Sequence, residues 1–320
     1  MKMMLCSNIM LGAECSENID TKQLHRWKEL RTDKFSELAV KAIPAKVSDI
    51  VIIGKLFGLD RIPEKTIDEF FAVINDQSHI RFIVFLVQSE YSRLNYRNDI
   101  PENLKLICTQ LSDTYEYDNL KVEINHGQIN LASNDSVITL IKNSDGMYAV
   151  SGLSEDVVVP GFEATGYDDA DEFYGYLNIE LENGSSSYEL IENKKFIYET
   201  IELKITPEDT QKDIVKKLIP LVNKYEYETF LQVNITGRAA FGFRINCDEL
   251  ESSLRSRVLY SEVYDNTIMD IDEESFETDI SLRSEFVRLA LSDDSLSEAE
   301  RNRIISCGWN ALHGKEVSAE

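Results

Sequence analysis

Three short stretches, Ser7-Asn8-Ile9-Met10-Leu11-Gly12, Gly54-Lys55-Leu56-Phe57-Gly58 and Val87-Gln88-Ser89-Glu90, each follow an apolar run and carry side chains that could do chemistry. The amides of Asn8 and Gln88 and the carboxylates of Glu90 and, further on, Glu155 are oxygen donors of the kind a hard cation takes in numbers. Lys55 would stand among them as a fixed positive charge. Other reactive residues are dispersed. His25, His79, His126 and His313 have neither H-x-H nor H-E-x-x-H spacing and are expected in surface or packing roles. Asn125-His126-Gly127-Gln128 reads as turn chemistry. The acidic run "YDDADE" at 167–172 lacks the EF-hand spacing and reads as a solvated loop. The five cysteines, Cys6, Cys15, Cys108, Cys247 and Cys307, are odd in number and without C-x-x-C spacing, which predicts reduced thiols in a cytoplasmic protein and no structural zinc. No glycine-rich phosphate loop is present to hold a nucleotide.

The elements that must position these residues follow from periodicity. Residues 2–11 read as a buried strand, and 21–43 as an amphipathic helix with Leu24, Trp27, Leu30, Phe35, Leu38, Ala39 and Ala42 on one side. "SDIVIIGKLFG" has the continuous β-branched character of a strand covered on both faces. A helix opened by Pro63 and a third buried strand, "IRFIVFLVQSE", complete an alternation that predicts an α/β sheet with right-handed crossovers. Between residues 104 and 160, short runs at 104–108, 120–124, 137–141, 147–150 and 157–159 alternate with Asn, Asp and Gly turns. Asn183-Gly184 marks a hairpin. From 196 to 266 the pattern is β-α-β-α-β, its first helix expected to start at Thr206-Pro207, and two helices end the chain, the second opened by the capping box Ser297-x-x-Glu300.

In order, spacing and flanking strands, "SNIMLG", "GKLFG" and "VQSE", together with the later "YAVSGLSEDVVVPGFEATG", resemble the motifs of calcineurin-like metallophosphoesterases, specifically the SbcD and YhaO group of DNA-repair exonucleases. The resemblance runs from Lys2 to about Leu291 and is poor over 104–150. It implies an α/β fold: a metallophosphoesterase-like β-sandwich core flanked by helices (1–165), a connecting β-hairpin (166–195), a small α+β capping domain (196–275) and a helical C-terminal tail (276–320). In that family two manganese ions about 3.5 to 4 Å apart activate a water and clamp the phosphate. Matched motif by motif, the ligand positions fall on Asn8, Met10, Lys55, Gln88, Ser89, Leu153 and Glu155, a degenerate set in which an ammonium replaces the carboxylate that bridges two dications. The resemblance therefore implies a pseudo-nuclease with no catalytic residues, no metal and no cofactor. Lys55 is expected to pair with Glu90 or Glu155 as a substitute for the metal bridge. The alternative is an active phosphoesterase or exonuclease with a rearranged site, one metal being held by Glu90, Glu155 and a nearby acid.

Charge bears on partners. With 33 basic and 57 acidic residues the chain carries −24, which disfavours direct binding to DNA and leaves DNA reachable only through a partner. The family resemblance implies an SMC-like coiled-coil ATPase as that partner, gripped by Phe286, Leu289, Ile304, Ile305, Trp309 and Leu312 of the terminal helices; a homodimer is the second assembly considered. No window of about 18 apolar residues is available for a membrane helix.

Overall fold

The computed structural model describes residues 1–17, 19–125, 127–143, 147–166, 172–182, 184–271, 280–293 and 295–312. His126, His313, Asn183 and most of the 167–172 run lie outside the described residues. The chain is mixed α/β, with seven helices among the described residues, and divides into two units, Met1–Phe196 and Ile197–Glu320. No described helix is long and apolar enough to cross a membrane.

The first unit is a sandwich of two six-stranded sheets. Strands β1 (Lys2–Ser7), β2 (Asp49–Ile53), β3 (Arg81–Leu86) and β4 (Leu104–Cys108) run parallel. Helices α1 (Thr21–Ala42) and α2 (Glu64–Asp76) connect β1 to β2 and β2 to β3, and α3 (Gln88–Asn95) follows β3. The parallel strands are buried on both faces, which explains their unbroken apolar runs. On one face, Met4, Cys6, Ile50, Ile52, Phe82 and Val84 pack on Phe35, Leu38, Phe70 and Phe71 of α1 and α2. On the other, Met3, Leu5, Val51, Ile53, Ile83 and Phe85 meet the second sheet.

That second sheet is an antiparallel meander, β5 (Asp113–Tyr117), β6 (Leu120–Asn125), β7 (Gln128–Ser133), β8 (Ser136–Lys142), β9 (Tyr148–Ser151) and β10 (Val157–Val158). It alternates as a half-covered sheet must: Val122, Ile124, Leu131, Ile138 and Leu140 point inward, while Val137 and Ile141 are exposed. Among the described residues of this unit, the helices pack on the outer face of the first sheet. The hairpin β11 (Gly175–Glu182) and β12 (Ser185–Glu192) is no mere connector. It forms the edge of the first sheet, β11 pairing antiparallel with β1 in the register Met3↔Ile179.

The second unit contains β13 (Ile197–Ile205), α4 (Gln211–Val222), β14 (Thr229–Ala240), α5 (Cys247–Leu254) and β15 (Tyr260–Asp265), a parallel sheet with both helices packed on the face of Leu203, Leu231 and Val233. A short β16 (Ile268–Asp270) pairs with the far end of β14. The start of α4 differs from the sequence reading. Thr206 and Asp209 close a turn before the helix, and the capping box is Thr210 with Asp213. Two T-x-x-D repeats lie in tandem, and the second one caps. Helices α6 (Leu282–Leu291) and α7 (Glu298–Leu312) form a hairpin, and Ser297 with Glu300 makes the expected box at the start of α7.

Candidate functional site

Because β1, β2 and β3 are neighbouring parallel strands, their carboxyl ends share one edge, and the three polar loops lie together there. The pairing of β1 with β2 continues past both strands: Asn8 N–H donates to Ile53 O (3.0 Å), Met10 N–H to Lys55 O (3.2 Å) and Leu11 N–H to Leu56 O (2.8 Å). The continuation bends sharply. Asn8 (φ 52°), Met10 (φ 53°), Gly12 (φ 70°) and Gly54 (φ 89°) are all left-handed. Asparagine and glycine tolerate this backbone; methionine does so at a cost on the order of 1 kcal/mol. Gly54 is required twice over, since a Cβ there would lie 2.3 Å from Asn8 Oδ1.

Asn8 Oδ1 accepts the backbone N–H of Lys55 (3.0 Å), so the amide joins one loop to the next. From the third loop, Glu90 in the first turn of α3 reaches back to the second: its Oε1 accepts Phe57 N–H (3.1 Å), with Leu56 N–H also directed at the carboxylate. Burial raises the Glu90 pKa; these backbone donors and the charge of Lys55 oppose that rise. Its Oε2 is buried and has no hydrogen-bond partner among the described residues. Gln88 donates from Nε2 to Ser92 Oγ (2.9 Å) and accepts from Cys108 Sγ (3.2 Å) at the end of β4. Ser89 is exposed.

The Lys55 pair is a correction. Lys55 is exposed and, among the described residues, has no carboxylate within 4.0 Å. Glu90 is occupied by backbone amides, and Glu155 accepts the Tyr188 hydroxyl at 2.6 Å. Tyr188 sits opposite Ile179, which sits opposite Met3, so the residue that holds Glu155 lies on the second strand from β1, in a row about 13 Å short of the carboxyl end of β1 at the rise of a strand. Leu153 packs on the sandwich interior. Glu90 and Glu155 therefore do not share a site, and neither the late degenerate positions nor the one-metal arrangement assembles. Among the described residues, no three His, Cys, Asp or Glu side chains converge as metal ligands.

The segment that does meet the end of β1 is 160–164. Ser7 Oγ donates to Pro160 O (3.0 Å), and Ser7 bridges to Gly161. Behind it lies a buried charged cluster that the sequence reading passed over. Arg31 of α1 donates to Ala164 O (2.9 Å) and Ile9 O (3.1 Å). Lys34 pairs with Glu163 Oε2 (2.9 Å), donates to Phe162 O, and lies 4.5 Å from the centre of the Phe162 ring. Burial lowers the Lys34 pKa to about 8 against the opposing pull of Glu163, and burial pushes the adjacent Cys6 thiol up to about 12. One signal could have found the cluster: Arg31 and Lys34 fall in phase with Trp27, Leu30, Phe35 and Leu38 on the buried stripe of α1.

Two other places were expected to carry function or could do so. An open groove of about 520 Å³ at the opposite end of the parallel strands is lined by His79, Arg81, Lys105 and Asp118, but Arg81 is already held by Asp49 (2.5 Å) and Asp118 (2.8 Å). In the terminal hairpin the expected partner-binding stripe divides. Ile305 is fully buried, the tip of the Phe286 ring fills the place a Cβ on Gly308 would take, and Trp309 packs edge-on to Phe241 at 4.5 Å. Leu312 is half-buried, and Leu289 and Ile304 face out together with Leu282. No family model and no curated protein matches the sequence.

Proposed function

We propose that this chain is a non-catalytic subunit built on a metallophosphoesterase-like frame of the SbcD and YhaO type, which assembles in the cytoplasm with an SMC-like coiled-coil ATPase and reaches DNA only through that partner. The observation that carries the reading is the bond from Lys55 N–H to Asn8 Oδ1 across Gly54. The loops meet where a reaction centre would be built, yet the polar groups there hold loop to loop. Asn8 caps Lys55, Glu90 caps Phe57, and Gln88 is engaged by Ser92 and Cys108. Leu282, Leu289 and Ile304 of the terminal hairpin stay exposed and are offered to the partner after Phe286, Ile305 and Trp309 are spent on the unit's own packing.

One observation favours the alternative of an active phosphoesterase with a rearranged site, namely the buried and unpartnered Glu90 Oε2. It supplies a single carboxylate oxygen, where a hard cation takes six or so. The reading is tested by co-expression with a coiled-coil ATPase encoded beside this chain. A complex that survives gel filtration and is lost on Leu289→Glu with Ile304→Glu supports it; a wild-type chain that elutes alone contradicts it.

A further inference from the structure

The cluster under α1 holds more than the end of β1. Glu163 accepts on both oxygens: Oε1 takes Ala164 N–H (3.1 Å), and Oε2 takes the Lys34 ammonium (2.9 Å) and the backbone N–H of Lys195 (2.5 Å). Lys195 is next to last in the first unit. Three further contacts bind the same exit segment to α1. Lys41 donates to Asn193 Oδ1 (2.8 Å), Lys195 Nζ pairs with Glu37 (2.8 Å), and Phe196 stacks on Trp27 at 5.7 Å with the rings 11° from parallel. The Arg31 guanidinium lies 4.8 Å from the centre of the same Trp27 ring while donating to Ile9 O and Ala164 O. The 160–166 segment is in turn tied to the loop after β1 by Ser16 N–H to Thr165 O (2.9 Å).

We propose that Arg31, Lys34 and Glu163 form a latch that makes the strand-end loops and the exit segment 193–196 open and close as one. Buried groups that satisfy one another cannot be released singly. If Lys195 withdraws, Glu163 loses a donor in a place water does not reach, and Lys34 keeps a partner with one hydrogen bond unmet. A pull on the chain at Ile197, where the second unit begins, is thereby passed through Glu163 and Arg31 to Ile9. The latch is independent of whether the loops carry chemistry.

The test is hydrogen exchange on the full chain. In Glu163→Gln, exchange at Ser16, Ala164 and Lys195 accelerates at least tenfold and in concert, while Ile50 to Ile53 of β2 stay protected. Acceleration confined to 162–165 would overturn the proposal. Should that variant fail to fold, Lys195→Ala removes only the half-exposed pair with Glu37 and leaves the buried groups in place. A two- to threefold acceleration shared by residues 195 and 164 then supports the latch, and one confined to 193–197 overturns it.

Discussion

The strand-end loops and the space beneath α1 both take a carboxylate out of water, and they do it in opposite ways. Glu163 is met on both oxygens, by an ammonium and by two backbone amides, and it joins three segments far apart in sequence. Glu90 is met on one oxygen only, by backbone amides, and its other oxygen is buried without a partner. A closed set of buried polar groups rigidifies the fold, whereas a half-closed one persists at a cost. The first arrangement is that of a staple. The second is that of a place shaped by a demand other than stability, which fits a site that has lost its reacting groups while keeping its loops.

This contrast ranks the expected effects of substitution. Lys34→Met should be the most damaging, because it strands Glu163 in the interior; a loss of about 3 to 5 kcal/mol is expected in the unfolding of the first unit by urea. Replacing Lys34 and Glu163 together by methionine and leucine should restore part of that loss. Equal damage from the double and the single change would show that the pair is not what the fold depends on. Gly54→Ala comes next, at about 2 kcal/mol, since it combines a left-handed backbone with a collision at Asn8 Oδ1. Asn8→Ala should cost about 1 to 2 kcal/mol, through the lost acceptor for Lys55 N–H and the same left-handed strain. If it were neutral in urea denaturation, Asn8 would not be holding the two loops.

Glu90 and the buried Lys34 also differ in how pH acts on them. Lys34 has a folded pKa of about 8, below that of the unfolded chain, so from its contribution stability rises as pH climbs from about 8 to about 10.5. Glu90 is raised, so its contribution is greatest at low pH and is lost as pH rises from the ordinary glutamate range through its folded pKa. Glu90→Gln should remove that slope and leave the protein at least as stable as wild type at neutral pH, because the amide oxygen still accepts from Phe57. Thermal unfolding of the variant at pH 5 and pH 7 checks this. A variant less stable than wild type at pH 7 would mean that the Glu90 charge is needed.

Much of the first unit was legible because strands covered on both faces must be apolar throughout, and "DIVII" and "RFIVFL" are. The convergence of the three loops follows from parallel order alone. The edge hairpin reads as a separate piece in the sequence because its pairing with β1 spans most of the unit, and no local pattern in "GYLNIELE" records that partner. β5, with Tyr115 and Tyr117, and the alternating β7 carry no long apolar run that would announce a strand. The partners of Glu90 show a limit of a different kind. Sequence spacing delivered Glu90 and Lys55 to one corner, but a carboxylate near an ammonium and two free amides can bond to either, and loop geometry decided for the amides. Arg31 and Lys34 were legible in principle, since a charge in phase with a buried stripe must find a partner.

The most direct test of the central claim, that the loops after β1, β2 and β3 hold one another and do no chemistry, is the hydrolysis of a generic phosphodiester by the purified chain in the presence of manganese. The account predicts a rate equal to that of Asn8→Ala and Lys55→Ala proteins, with no saturable dependence on the metal. A manganese-dependent rate in the wild type that either substitution abolishes would contradict it.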